Sequence, residues 1–223
     1  MTPRSAPSLA LIFDMDGVII DSHPVHRKAW EVFNRGFGLE MTTAMEERNL
    51  GKRNDDIIRD FYGDGLSAAE VAARSAAKEE MYRHMVRGRV EDLLVPGLRA
   101  FLERHRDAPM ALASNAEPEN IALLLEETGM KAYFQVVLDG HQVSRPKPDP
   151  EIYRRAAELL GVAASRCVVF EDSLAGVAAG RAAGMAVIGI RTTFGNLPGT
   201  DLTVDDFLNG DLDPWLDARS RVA

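Results

Sequence analysis

The chain has 223 residues, 46% of them hydrophobic, and a formal net charge of −8 at pH 7. It is long for one minimal domain and short for two full ones, so one well-filled core with an insertion is expected. The acidic balance argues against nucleic acid or a membrane surface as partner, since both need a basic face, and an anionic substrate would need a metal or a few placed cations.

Residues 1–8 lead into only five apolar residues, too few for a signal-peptide core or a membrane span, so a cytoplasmic location is expected. That run, residues 9–13, is too short for a helix and reads as a buried strand, whose period of two turns Asp14 and Asp16 to the same side. Two carboxylates converging on one point repel unless a hard cation lies between them, and Mg2+ is held by one or two carboxylates plus waters and phosphate oxygens. Asp14-x-Asp16-Gly17 thus has the layout of a phosphoryl-transfer site, although the same string suits a strand end and an acidic turn. Residues 23–89 show helical periodicity in Val25, Trp30 and Phe33, then in Ile57, Ile58 and Phe61, and an Ala-rich stretch over 67–87. This strand-free segment, rooted near Asp21 and residues 92–96, reads as a helical insertion that serves as a lid over the strand ends.

Farther on, short apolar runs at 110–113, 135–138, 167–170 and 186–190 alternate with helices over 98–106, 118–128, 150–160 and 174–183. Gly129, Gly161 and Gly184 stand where helix C-caps want glycine. The alternation implies an α/β fold, a doubly wound and mostly parallel sheet covered on both faces, with ligands bound beyond the carboxyl ends of its strands. Asp14, Ser114, Asp139 and the pair Glu171-Asp172 all fall at such ends. The spacing of Gly176, Gly180 and Gly184 suggests a helix packed closely on the sheet, and Cys167, the only cysteine, reads as a small buried hydrophobe. The tail beyond Leu202 is polar, with Trp215 as a docking residue.

Ser114-Asn115, with Pro118 opening the next helix, offers hydroxyl, amide and free backbone N–H groups of the kind that bind phosphate, or a simple helix cap. Lys147 lies in Arg145-Pro146-Lys147-Pro148-Asp149-Pro150, where the flanking prolines remove backbone freedom. Glu171-Asp172-Ser173 ends a buried strand in two acids; capping and helix-dipole compensation account for Ser173 and one acid, not both.

In this order Asp14-x-Asp16-Gly17, Ser114, Lys147 and Glu171-Asp172 resemble the four motifs of the haloacid-dehalogenase-like (HAD) superfamily, over nearly the whole chain. The fuller strings, among them Lys147-Pro148-Asp149-Pro150 and Phe170-Glu171-Asp172-Ser173, resemble the subgroup with a helical cap after the first motif. That subgroup includes phosphoglycolate phosphatase, sugar-phosphate phosphatases and β-phosphoglucomutase. The resemblance implies a Rossmann-like core (1–22 and 92–223) and an all-helical cap (23–91). It implies Asp14 as the nucleophile that becomes an aspartyl-phosphate and Asp16 as the acid and base. It further implies Mg2+ at Asp14, the carbonyl of Asp16 and Asp172, with Glu171 near the metal or its waters, and Ser114, Asn115 and Lys147 on the phosphoryl oxygens. The acid at Asp16 sets the chain apart from the dehalogenases and phosphonatases that name or border the superfamily.

Substrate choice in this family resides in the cap, where His26, Lys78 and the loop Gly51-Lys52-Arg53-Asn54 are the candidates. A solvated or capping His26 and a surface pair of Lys78 with Glu79 or Glu80 are the plainer alternatives. The mutase pattern has an arginine a few residues after the cap-loop glycine, whereas Arg53 and Asn54 here compete for that role. The expected function is a Mg2+-dependent phosphatase for a small, sugar-type phosphate ester, with β-phosphoglucomutase as the alternative. The expected state is a monomer or weak homodimer.

Overall fold

The computed structural model describes residues 9–49 and 52–222. Its sheet has six strands, all parallel: β1 (Ala10–Phe13), β2 (Met110–Ala113), β3 (Val136–Leu138), β4 (Cys167–Glu171), β5 (Ala186–Ile190) and β6 (Leu202–Val204), in the order β3-β2-β1-β4-β5-β6. Strands buried on both faces read as continuous apolar runs, and β1, β2, β4 and β5 are buried along their whole length. Their side chains split by the period of two: Leu11 and Phe13 join one core layer, Ala10 and Ile12 the other. Phe13 stacks on Phe170 of the neighbouring strand at 4.7 Å between ring centroids.

After β1 the chain first forms four helices that lead away from the sheet: α1 (His23–Arg35), α2 (Thr43–Asn49), α3 (Asn54–Tyr62) and α4 (Ala68–Val86). They enclose a core of their own, built on Trp30, Phe33, Ile57, Ile58 and Val71. Helix α4 starts with a full capping box, Ser67 accepting from the Glu70 N–H while Glu70 accepts from the Ser67 N–H. The two connections to the core run side by side, with Asp21 N–H donating to Leu93 and Val95 N–H to Ile19. The remaining helices are α5 (Leu98–Arg104), α6 (Pro118–Thr128), α7 (Glu151–Leu160), α8 (Leu174–Ala182) and α9 (Leu212–Val222). Among the described residues no helix is long and apolar enough to cross a membrane.

The tail departs from the sequence reading. It adds the edge strand β6 and the helix α9, with Trp215 packed against the larger core layer as expected of a docking residue. The glycines of α8 also divide: Gly176 and Gly180 pack closely, whereas an added Cβ on Gly184 would meet nothing within 4 Å. Gly184 instead turns the chain out of the helix at φ +80°. Cys167 is buried in β4, as predicted.

Candidate active site

Asp14 is the first residue past β1, and its N–H donates to the Phe170 carbonyl at 3.1 Å. Its Oδ1 accepts from Lys147 Nζ at 2.7 Å, and the same ammonium donates to Glu171 Oε1 at 2.7 Å. Lys147 is buried, with its Nζ 4.7 Å from the Tyr153 ring centre, and the Lys147–Pro148 peptide is cis. Glu171 is completely enclosed: Oε1 also accepts from the Tyr153 hydroxyl, and Oε2 from the N–H groups of Asp172 and Ser173 and the Ser173 hydroxyl. Asp172 Oδ2 accepts from Thr193, and His23 Nε2 lies 3.0 Å from it. Gly17 lies so close that an added Cβ would fall 1.9 Å from Asp172 Oδ2, which explains a glycine at this step of the turn.

The electrostatics follow from this crowding. Burial pushes the Asp14 carboxyl up, Lys147 pulls it down, and Glu171, Asp172 and Asp16 push it up again, to about 8. Burial, then Glu171, raises Asp172 against the hydrogen bond from His23. Burial works against charge on Glu171 and Lys147 too, but Lys147 outweighs it at Glu171, which stays low, and Asp14 and then Glu171 outweigh it at Lys147, which is held up at about 12. Asp14, Glu171 and Asp172 each place a carboxylate oxygen within 4.8 Å of the other two. Three buried acids with hard oxygen donors and one ammonium form a group that could hold a hard cation.

Asp16 lines the same cavity as Asp14 but is not one of the three converging acids. The strand has ended, and residues 15–20 form a tight turn in which the N–H groups of Val18, Ile19 and Ile20 share the Met15 carbonyl. In this turn Asp16 Oδ1 accepts from the Ser22 hydroxyl at 2.5 Å and faces His26 Nε2 at 3.5 Å. Burial pushes its carboxyl up, but His26, Ser22 and His23 outweigh that and bring it to about 2. His26 is itself held below its ordinary value by burial and by Lys78, so at neutral pH it meets Asp16 as an N–H donor more than as a charge.

Ser114 follows β2 and is buried, its hydroxyl accepting from the Ala116 N–H at 3.1 Å instead of capping α6. Asn115 Oδ1 lies 3.4 Å from the Lys147 backbone nitrogen, while its Nδ2 is buried without an acceptor. Both line a cavity of about 480 Å3 with Asp14, Asp16, Lys147 and Asp172, and α1, α3 and α4 supply the opposite wall. The helical segment thus lies over the strand ends.

On that wall Lys78 is not a surface charge. It is 1% exposed, donates to Glu79 Oε1 and His26 Nδ1, and lies over the Trp30 ring. His26 stacks on Tyr82 at 3.7 Å, neither solvated nor capping. Arg53 Nη2 donates to the Gly140 carbonyl, and its Nε has no acceptor. Gly51 lies outside the described residues. Glu79 accepts from Asn54 and from Asn120 of α6; burial opposes its charge, but Lys78 leads the groups that hold it at about 2. His23, Thr193, Tyr153 and Asn120 were not singled out by the sequence, and Glu79 only as a surface partner of Lys78. The His23 ring, one residue after Asp21-Ser22, was the only one of them next to a recognised motif.

The sequence model of the haloacid dehalogenase-like hydrolases matches residues 9–184. The chain is 34% identical to the fructose-1-phosphate phosphatase YqaB of Escherichia coli over 182 residues, covering 81% of this chain and 95% of that protein. It is 31% identical to a β-phosphoglucomutase of Mycobacterium bovis, over 82% of this chain and 81% of the other. In fold it is similar to a crystal structure of β-phosphoglucomutase from Clostridium difficile, with a TM-score of 0.85 and 24% identity over 96% of this chain and 99% of that one. This chain is a member of the haloacid dehalogenase-like hydrolases.

Proposed function

We propose that the protein hydrolyses phosphate monoesters of small, sugar-like molecules, using Mg2+ and an aspartyl-phosphate at Asp14. The observation that carries this reading is the Asp14 carboxylate, fixed at the end of a central strand by Lys147 and flanked by Asp172 in a buried set of oxygen donors. Asp14, Asp172 and the Asp16 carbonyl would hold the ion, with Glu171 close by anchoring Lys147; bound there, Mg2+ supplies positive charge against the phosphoryl oxygens. An Asp14 oxygen attacks phosphorus, the ester P–O bond breaks, and Asp16 gives its proton to the leaving oxygen. Water then attacks the acyl phosphate, Asp16 takes its proton, and inorganic phosphate and free Asp14 result. Ser22 and His26 hold Asp16 ionised, the form the second step needs; for the first it takes up a proton from solvent, its proton affinity raised by the phosphoryl dianion entering beside it. Lys147, Ser114 and Asn115 bind the phosphoryl oxygens, the unpaired Asn115 Nδ2 being a donor in want of an acceptor.

In this reading residues 1–22 and 92–223 are the catalytic core and 23–91 the cap, whose His26, Arg53 and Lys78 meet the sugar. The protein acts in the cytoplasm as a monomer or weak homodimer. One observation favours a mutase: the Arg53 guanidinium faces the cavity with its Nε free, a cation for a second phosphate. The test supplies β-glucose 1-phosphate with a catalytic trace of the 1,6-bisphosphate, Mg2+ present, beside a panel of small phosphate esters. Free phosphate from several esters is expected; dominant conversion to glucose 6-phosphate with little phosphate released would make the mutase reading correct.

A further inference from the structure

We propose that Glu117 selects the far end of the substrate, its carboxylate accepting hydrogen bonds from the hydroxyls of an uncharged sugar or polyol and repelling a second anionic group. The inference rests on the phosphomonoesterase reading and names the substrate class within it.

Glu117 is the N-cap residue of α6, three positions past Ser114, and its side chain makes no capping bond. A glutamate is one carbon too long to fold back on the helix N–H groups as Ser or Asp does. Its carboxylate instead lines the cavity and meets His141 Nε2 at 2.8 Å. Burial pushes the carboxyl up, and the nearby charge of Glu79 adds to that. Glu79 is already matched by Lys78, Asn54 and Asn120, whereas the partner of Glu117 is a histidine whose side chain is 66% exposed. This half-buried carboxylate therefore has acceptor capacity left on the cavity side, which sugar hydroxyls satisfy and a second phosphate or carboxylate does not.

Arg53 would work the other way, but its Nη2 is tied to the Gly140 carbonyl, next to the His141 that pairs with Glu117. Gly140 itself is pressed against the Asn115 backbone, where an added Cβ would come within 2.6 Å of the carbonyl oxygen. Glu117, His141 and the phosphate-side loop are thus one packed unit.

The test compares kcat/KM of wild type, Glu117→Gln and Glu117→Lys on fructose 1-phosphate, fructose 1,6-bisphosphate and 3-phosphoglycerate, with thermal unfolding to confirm folding. In Glu117→Gln the preference for the monophosphate over the two substrates with an anionic far end should fall at least tenfold, chiefly through KM, and in Glu117→Lys it should fall further. A ratio within twofold of wild type in both variants overturns the inference, as does an equal loss on all three substrates, which marks a purely structural role for the helix end. If wild type releases phosphate from none of them, the phosphomonoesterase reading fails and takes this one with it; release with an unchanged ratio sinks the Glu117 assignment alone.

Discussion

Gly176 offers a test of how the site is held together. A Cβ there would lie 1.7 Å from Glu171 Oε1 and 1.8 Å from its carboxyl carbon, where ordinary contact begins at 3.4 Å. In Gly176→Ala the Glu171 carboxylate must double its distance from the helix, and it cannot do so while keeping Tyr153 at 2.6 Å, Lys147 at 2.7 Å and three donors on Oε2. Hydrogen bonds to a charged group contribute about 1.5–3 kcal/mol each, and breaking a buried ion pair costs about 3–5 kcal/mol. A destabilisation of about 4 kcal/mol is expected, a fall of roughly 2 M in the urea midpoint with the slope unchanged. Lys147 loses its second anchor, so phosphate release should drop about a hundredfold, as when a preorganised donor is removed. Gly180→Ala is the control: its Cβ would press on Val187 Cγ2 at 2.8 Å, a side chain that can shift, at a cost of about 1–3 kcal/mol with activity kept. A Gly176→Ala protein within about 1 kcal/mol of wild type and fully active would refute the reasoning.

Asp14→Asn should abolish turnover and leave the fold intact; residual activity above about a thousandth, a loss of only some 4 kcal/mol, would remove Asp14 as nucleophile. Asp172→Ala should weaken Mg2+ binding by at least about tenfold in calorimetry, and an undiminished affinity would put the ion elsewhere. The pH dependence of the metal-free protein has a definite sign. Asp14, raised from 3.8 to about 8, holds its proton in the folded state where the unfolded chain has lost it, so its stabilisation is complete below about 4 and lost as pH rises through about 8. The raised Asp172 and His23 act in the same direction, whereas Asp16 and Glu79, near 2, matter only as pH falls through the acid range. Melting temperature in EDTA should therefore decline between pH 6.5 and 8.5, and the rise on adding Mg2+ should grow over the same interval. A flat profile, or one that Asp14→Asn leaves unaltered, would contradict the Asp14 environment.

The strand ends were legible because the central strands are buried on both faces and read as unbroken apolar runs, so Asp14, Ser114 and Glu171-Asp172 could be put in place by counting. The edge strand β6 has three residues, two of them half-buried, and carries no such run. Helix α9 did leave a signal, Leu212, Trp215 and Leu216 at helical spacing, lost in a polar background. The burial of Lys78 has another cause. Helix α4 packs on α1, α3 and α6, so it buries more than one face, and Lys78-Glu79, which neighbour each other in sequence like any surface pair, end up inside. His23, Thr193 and Tyr153 reach the acids from three separate elements, a convergence that only the packing creates. Asp16 shows the limit of periodicity: alternation holds within a strand, and this one stops at Phe13.

The pairing of Phe13 with Phe170 across β1 and β4 makes Asp14 and Glu171 the next step of the same ladder. The backbone gap between them is therefore inherited from the repeat of the sheet, about 4.8 Å, a length fixed by backbone hydrogen bonds. Exchanging side chains on the helical wall cannot alter it. The acids behave as a gauge cut into the framework: variants of α1, α3 and α4 can be screened for new esters while the backbone spacing of Asp14 and Glu171 stays constant.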